Sequence, residues 1–201
     1  LIKPILVILF HVVGIIGFSN GMLFVAFGQI VPYHLLLMGY LVFSEYNFKK
    51  PSWQIKVLLV MVLGWVIEVI GVNTGLIFGK YTYQEVLGFK VFGTPLLIGL
   101  NWALVVLGSL ELFRWVGKYK FIAASMFLVL LDVIMEPVAT RLGYWQWAEI
   151  TIPLQNYIAW FIVALVLTYI LNKEVEESKP NKTAIVFILS QVVFFSVLRI
   201  I

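Results

Sequence analysis

The chain has 201 residues, of which 62% are apolar and 12% charged, about half the roughly 25% charge content of an average soluble protein. With no cysteine, it can form no disulfide-stapled fold, thiolate zinc site, iron–sulfur cluster or cysteine nucleophile. The net charge of +4 does not point to nucleic acid, because the Lys and Arg residues sit almost entirely at the ends of apolar runs, where they orient a chain in a bilayer.

A mean hydropathy of +1.03 predicts an all-α, polytopic transmembrane bundle occupying residues 1–201 as one integral-membrane domain. Seven helices of about 20 residues would use roughly 140 residues. Taken in chain order, apolar runs between charges predict helices near 3–19, 33–48, 53–72, 94–115, 119–137, 154–172 and 182–200. The first run lacks a small-residue cleavage site and reads as a helix rather than a removable signal peptide. Residues 20–32 are apolar but interrupted by Gly21, Gly28 and Pro32; they extend the first helix, lie in the interface or re-enter the membrane. The glycines at 71, 75 and 79 suit either close helix packing or a turn-rich loop. Residues 172–182, NKEVEESKPNK, read as a solvated linker of mixed charge.

Seven spans place Lys3, Lys49, Lys50, Lys56, Arg114, Lys118, Lys120, Lys173, Lys179 and Lys182 on one side and Lys80, Lys90, Arg141 and Arg199 on the other. The positive-inside rule then puts the N-terminus in the cytoplasm. The expected location is the cytoplasmic membrane of a prokaryote.

Three ionisable groups fall inside apolar runs: Glu68, Asp132 and Glu136. Each is expensive in hydrocarbon and persists only against a cavity or a partner. A structural hydrogen bond between helices is the plain alternative. Asp132 and Glu136 share a helix face by their i, i+4 spacing, and Pro137 is expected to end or kink the helix at Glu136. Glu68 and Asp132 each lie about four or five residues from the outer end of a span, roughly 6–8 Å deep, with Asn101 at similar depth. The two outer connections, 73–95 and 138–153, are rich in aromatic and polar residues. One polar cavity toward the outer leaflet, capped by two aromatic loops, is therefore expected. Tyr81, Tyr83, Trp145 and Trp147 also suit an interfacial aromatic belt, though their ring faces could stabilise a cation. His11 and His34 are the two histidines; a pair could ligate haem, but no second pair or motif accompanies them.

Absences narrow the chemistry. No DDxxD pair holds magnesium pyrophosphate, no lysine lies deep in the last run for a retinal Schiff base, and no GxSxG, HExxH or Walker motif occurs. Acid–base chemistry, or binding, on something lipophilic remains.

The segments GWVIEVIGVNTGLIFGKYTYQEVLGFKVFGTPLLIGLNW at 64–102 and DVIMEPVATRLGYWQW at 132–147 carry the patterns E-x2-G-V-x-T-G, F-G-x-Y-x-Y, L-N-W and D-x3-E-P. On these the chain resembles the carotenoid biosynthesis integral-membrane family that includes carotenoid 1,2-hydratases of the bisanhydrobacterioruberin hydratase and γ-carotene 1′-hydroxylase types. The resemblance implies cofactor-independent addition of water across the terminal C1–C2 double bond of an acyclic ψ-end carotenoid, giving a tertiary alcohol. Lycopene, γ-carotene or a C50 precursor would be the substrate, with water and membrane lipid as the other partners; neither the carotenoid nor the oligomeric state is read from the residues.

Such hydration needs a strong acid to protonate C2, a shielded tertiary cation at C1, and a positioned water. Buried carboxyls in contrasting surroundings supply both roles. The expected assignment makes Asp132 the proton donor, with Glu136 sharing its proton or holding the water, and Glu68 orienting the attacking water or accepting its proton. Asn101 would hydrogen-bond that water or a carboxyl. Trp102, Tyr81, Tyr83, Thr74, Trp145 and Trp147 would line the cavity. A lycopene-cyclase-like reaction, in which an internal alkene captures the cation, is the alternative enzyme, and a non-catalytic carotenoid or lipid binder the alternative class.

Overall fold

A computed structural model describes residues 2–46 and 50–201. Seven α-helices run α1 (Ile2–Ser19), α2 (Phe24–Phe43), α3 (Pro51–Thr74), α4 (Leu97–Leu112), α5 (Lys120–Arg141), α6 (Leu154–Glu177) and α7 (Lys182–Ile200). Six are long and apolar enough to cross a membrane, and α4 is a shorter apolar helix. The protein is an all-α polytopic bundle and an integral membrane protein. Lys49 and the last two residues of the predicted 33–48 helix lie outside the described residues.

α4 packs against α2, α3, α5, α6 and α7, and most of its residues are buried. Its uniform apolarity suits a helix enclosed on every side. At about 24 Å it is shorter than the predicted 94–115 segment, because Thr94 and Pro95 form a strand and the chain turns at Phe113. The surrounding helices point apolar side chains outward, among them Leu58, Val62, Leu130, Ile158, Ile162 and Val193. A surface of that kind faces hydrocarbon rather than water.

The structure corrects three boundaries. Residues 24–32 are the first half of α2, not a separate interfacial or re-entrant piece; Asn20 makes the corner, its Oδ1 accepting from the Met22 N–H at 3.0 Å. Gly17 permits the tight return of the chain, since a Cβ there would lie 2.2 Å from the Phe27 ring. Second, α5 continues through Pro137 to Arg141. Proline removes the donor that would have reached the Val133 carbonyl, and Arg199 of α7 donates to that carbonyl instead at 3.3 Å. Third, α6 runs to Glu177, so most of the predicted linker is helical. Its charges are paired: Glu174 with Lys56 at 2.7 Å, Glu176 with Lys120 at 3.4 Å and Glu177 with Lys173 at 3.7 Å.

The glycines after Glu68 resolve as turn chemistry at Gly75, which ends α3 in the left-handed region at φ 69° and donates its N–H to Gly71 O. Short strands follow: β1 (Tyr81–Tyr83), β2 (Lys90–Val91), β3 (Thr94–Pro95) and, after α5, β4 (Trp145–Trp147). β2 pairs with β3, and β1 with β4, antiparallel. The β1–β4 register sets Tyr81 against Trp147, Thr82 against Gln146 and Tyr83 against Trp145. The two aromatic loops thus form one ribbon at the end of the bundle where α3 and α5 finish and α4 and α6 begin.

Candidate active site

Alternation along a strand puts every second side chain on one face. In β1 and β4 that face carries Tyr81, Tyr83, Trp145 and Trp147, all buried, while Thr82 and Gln146 are exposed. The ribbon therefore aims two phenols and two indoles into the bundle, toward the carboxyls that α3 and α5 present.

Glu68, on α3, is 4% exposed and accepts three hydrogen bonds. Tyr81 Oη and Tyr83 Oη donate to Oε2 at 2.5 and 2.9 Å, and Trp102 Nε1 of α4 donates to Oε1 at 3.0 Å. Burial, reinforced by the neighbouring Glu68, pushes the Tyr81 and Tyr83 hydroxyls well above the usual phenol range, which keeps both as donors. Trp102 reaches its place because Gly64 leaves room: a Cβ at Gly64 would lie 2.8 Å from the Trp102 side chain.

Glu136, on α5, is 2% exposed. Its Oε2 accepts from Trp145 Nε1 at 3.0 Å and Trp147 Nε1 at 2.7 Å. Asn156 of α6 links it to Asp132: the amide donates to Asp132 Oδ2 at 2.7 Å and to Glu136 Oε1 at 3.5 Å. Asp132 is fully buried, and its Oδ1 has no hydrogen-bond partner among the described residues. The hydrogen bonds found for these three carboxyls come from neutral groups, a Tyr pair, three Trp and an Asn.

A small cavity of about 30 Å³ lies between the carboxyls, walled by Glu68, Glu136, Asn101, Asn156, the ribbon aromatics and Trp102 with Trp160. The last two rings stack with centroids 4.5 Å apart. A polar cavity of this size accommodates about one water. Beside it lies a larger, mainly apolar cavity of about 290 Å³. The two share Ile98, Asn101, Met135, Trp145 and Trp160 as walls. Phe10, Val13, Ile30 and Tyr33 border the larger cavity and are themselves exposed on the outer surface of α1 and α2. The cavity thus borders the lipid-facing surface of these two helices.

Of the residues singled out in the sequence, Glu68, Glu136, Asn101, Trp102, Tyr81, Tyr83, Trp145 and Trp147 meet around the small cavity. Asp132 does not line it and joins through Asn156. Thr74 is not brought in: it is exposed in the last turn of α3, where its hydroxyl donates to Ile70 O at 2.6 Å and accepts from Leu76 N at 3.1 Å. Its place is a helix end, six residues beyond Glu68. Asn156 and Trp160 escaped the sequence reading. The polar side chain of Asn156 near the start of an apolar run is the signal for it in the sequence. His11 and His34 come together on the larger cavity with ring centroids 5.1 Å apart, yet both nitrogens of His11 are engaged, with Val7 O at 2.7 Å and Gln191 Nε2 at 3.0 Å. That leaves no pair of free nitrogens for a haem.

No solved structure matches the chain. It is similar to the bisanhydrobacterioruberin hydratase of Haloarcula japonica, with 29% identity over 107 residues, which cover 48% of this chain and 36% of that protein. The match spans little more than a third of the relative's length. Over residues 7–201 the sequence fits the family model described as carotenoid biosynthesis protein. With nearly its whole length matched, the chain belongs to the carotenoid biosynthesis protein family.

Proposed function

We propose that the protein is a carotenoid 1,2-hydratase, adding water to the terminal C1–C2 double bond of an acyclic ψ-end without a cofactor. One observation carries this reading: a water-sized chamber of buried carboxyls, hydrogen-bonded by neutral donors, shares a wall with an apolar cavity that reaches the bilayer. Carboxylates without a basic partner, framed by indole and phenol faces, are suited to a transient cation.

The polyene lies in the apolar cavity with its terminal alkene at the Asn101 and Trp160 wall. The Asp132–Glu136 pair, joined by Asn156, supplies a proton to C2; within the pair it is Glu136 that borders the chamber. The alkene π electrons form the new C–H bond and leave the cation at C1. Water in the chamber donates a lone pair to C1, and the proton it sheds passes to Glu68. Return of that proton to the Asp132–Glu136 pair through the chamber closes the cycle, so the net change is addition of one H2O. Glu68, with three donors arranged around it, suits the accepting role, whereas Asp132, with a free oxygen, suits storage of a proton. The chamber faces the outer leaflet of a prokaryotic cytoplasmic membrane, given the charge bias between the two ends of the bundle.

The test is expression in bacteria that accumulate lycopene or γ-carotene, with pigments analysed by liquid chromatography and mass detection. A product heavier by one water, absent in a folded Glu136→Gln variant, is the expected result. An isomer of unchanged mass would mean cyclisation, and unchanged pigment with folded protein would overturn hydration of these two substrates.

A further inference from the structure

The helices of the bundle turn different surfaces toward the lipid. α3 shows Leu58, Val62 and Val66, and α6 shows Ile158, Ile162 and Val166, side chains that hydrocarbon accepts without cost. α2 breaks this pattern. It buries Val31, Leu35, Met38 and Val42 against the bundle, and on the opposite side it exposes Gln29, Tyr33, Leu36 and Tyr40.

Polarity and spacing together set this stripe apart. Tyr33 is 72% exposed and lies halfway along α2, roughly 15 Å from either end, so its phenol cannot reach the headgroups. Gln29 lies about 8 Å below the outer end of the helix, and no hydrogen bond to its amide or to the phenols of Tyr33 and Tyr40 is found among the described residues. In hydrocarbon an amide finds none of the partners that water supplies, and a neighbouring helix is what satisfies it. The intervals of four, three and four residues between Gln29, Tyr33, Leu36 and Tyr40 form a heptad seam, which a second helix crossing at about 20° covers along its whole length.

We propose that two copies of the protein pair in the membrane through the Gln29–Tyr40 stripe of α2, related by a two-fold axis along the membrane normal, with their Gln29 amides hydrogen-bonded to each other. Copies of one chain insert in the same orientation, so this axis brings each seam residue to its own counterpart at equal depth. A carboxamide both donates and accepts, which makes Gln29 complementary to a second Gln29. A lipid tail offers neither group, and an unrelated helix would have to carry a matching polar side chain at that depth. Tyr33 also borders the larger cavity, so the second copy lies against one of its walls. The pairing rests on the fold alone and is independent of the reaction proposed above.

The test is association in the membrane, free of turnover. The purified protein carrying Leu36→Cys, one heptad from Gln29, is reconstituted in phosphatidylcholine vesicles and oxidised with copper phenanthroline, with Ile162→Cys on α6 as the control. Leu36→Cys is expected to give a disulfide-linked dimer at protein densities where Ile162→Cys gives none. Energy transfer between donor-labelled and acceptor-labelled Lys118→Cys copies then follows dissociation as lipid is added. Gln29→Leu should raise the dissociation constant about tenfold, the scale of one or two hydrogen bonds between helices, and Gln29→Asn should recover part of the loss. Both variants alter a side chain outside the packed bundle and should keep the helical circular dichroism of the parent. Equal cross-linking from the two cysteines, or energy transfer that Gln29→Leu does not move, would overturn the proposal.

Discussion

Glu68 is held by donors from two separate segments, the ribbon tyrosines and Trp102 of α4. An amide cannot accept at both ends, so Glu68→Gln turns one terminus into a donor facing donors. We expect it to lower turnover by at least about 100-fold, the scale of losing a positioned acid or base, read as product per folded protein. Stability should fall by about 1–3 kcal/mol from the unpaired donors. Asn156 is the other informative residue. Asn156→Leu strips the hydrogen bond from Asp132 and unlinks it from Glu136, and turnover should fall about tenfold or more, whereas Trp160→Phe, which keeps a stacking ring against Trp102, should cost little. Reversal of that order in a product assay would sink the paired-carboxyl assignment.

At the scale of elements, the β1–β4 ribbon decides whether four aromatics point inward. Ala148 N donates to Lys80 O and Gln84 N to Tyr144 O, both at 2.9–3.0 Å, so the alternation of an antiparallel ladder makes Thr82 and Gln146 a hydrogen-bonded pair between them. Thr82 is exposed. Thr82→Val should leave turnover within about twofold, but Thr82→Pro removes a ladder donor and should abolish product while the helices remain, as judged by circular dichroism. The β-ribbon was not anticipated in the sequence even though Tyr-x-Tyr and Trp-x-Trp both show period-two patterning. Each motif is too short to declare a strand without its partner. The helix ends placed at 137 and 172 share one cause: each depends on a contact from elsewhere. Arg199 covers the carbonyl freed by Pro137, and Lys56 and Lys120 neutralise the acidic end of α6.

For the whole molecule, the two ends of the bundle differ in charge and in chemistry. The Tyr–Trp ribbon lies at the end poor in Lys and Arg, and the turns after α2, α4 and α6 lie at the other. Since these 201 residues include no cysteine, single cysteines report sidedness directly. Gln146→Cys should react with a membrane-impermeant maleimide in intact cells, and Lys118→Cys only after lysis; the opposite pattern would invert the orientation. If the substrate enters the larger cavity between α1 and α2, the packing of these two helices governs access. Phe27 packs against Gly17 at that corner, so Gly17→Leu should wedge the two helices apart and change KM for a polyene more than kcat.

Apolar run length and charge placement are local properties, and they sufficed for the membrane class, the helix count and the three carboxyls, because a charged group in hydrocarbon is conspicuous wherever it occurs. α1 and α7 agree with their predicted limits to within a residue for the same reason. Which carboxyl meets which partner depended on side chains distant in the chain. Only the folded arrangement pairs Tyr81 with Trp147, joins Asp132 to Glu136 through Asn156, dismisses Thr74 to a helix end, and sets a lone His34 nitrogen in an apolar wall. Hydrogen bonds are short and directional, so their partners are fixed by three-dimensional packing rather than by the spacing of residues along the sequence.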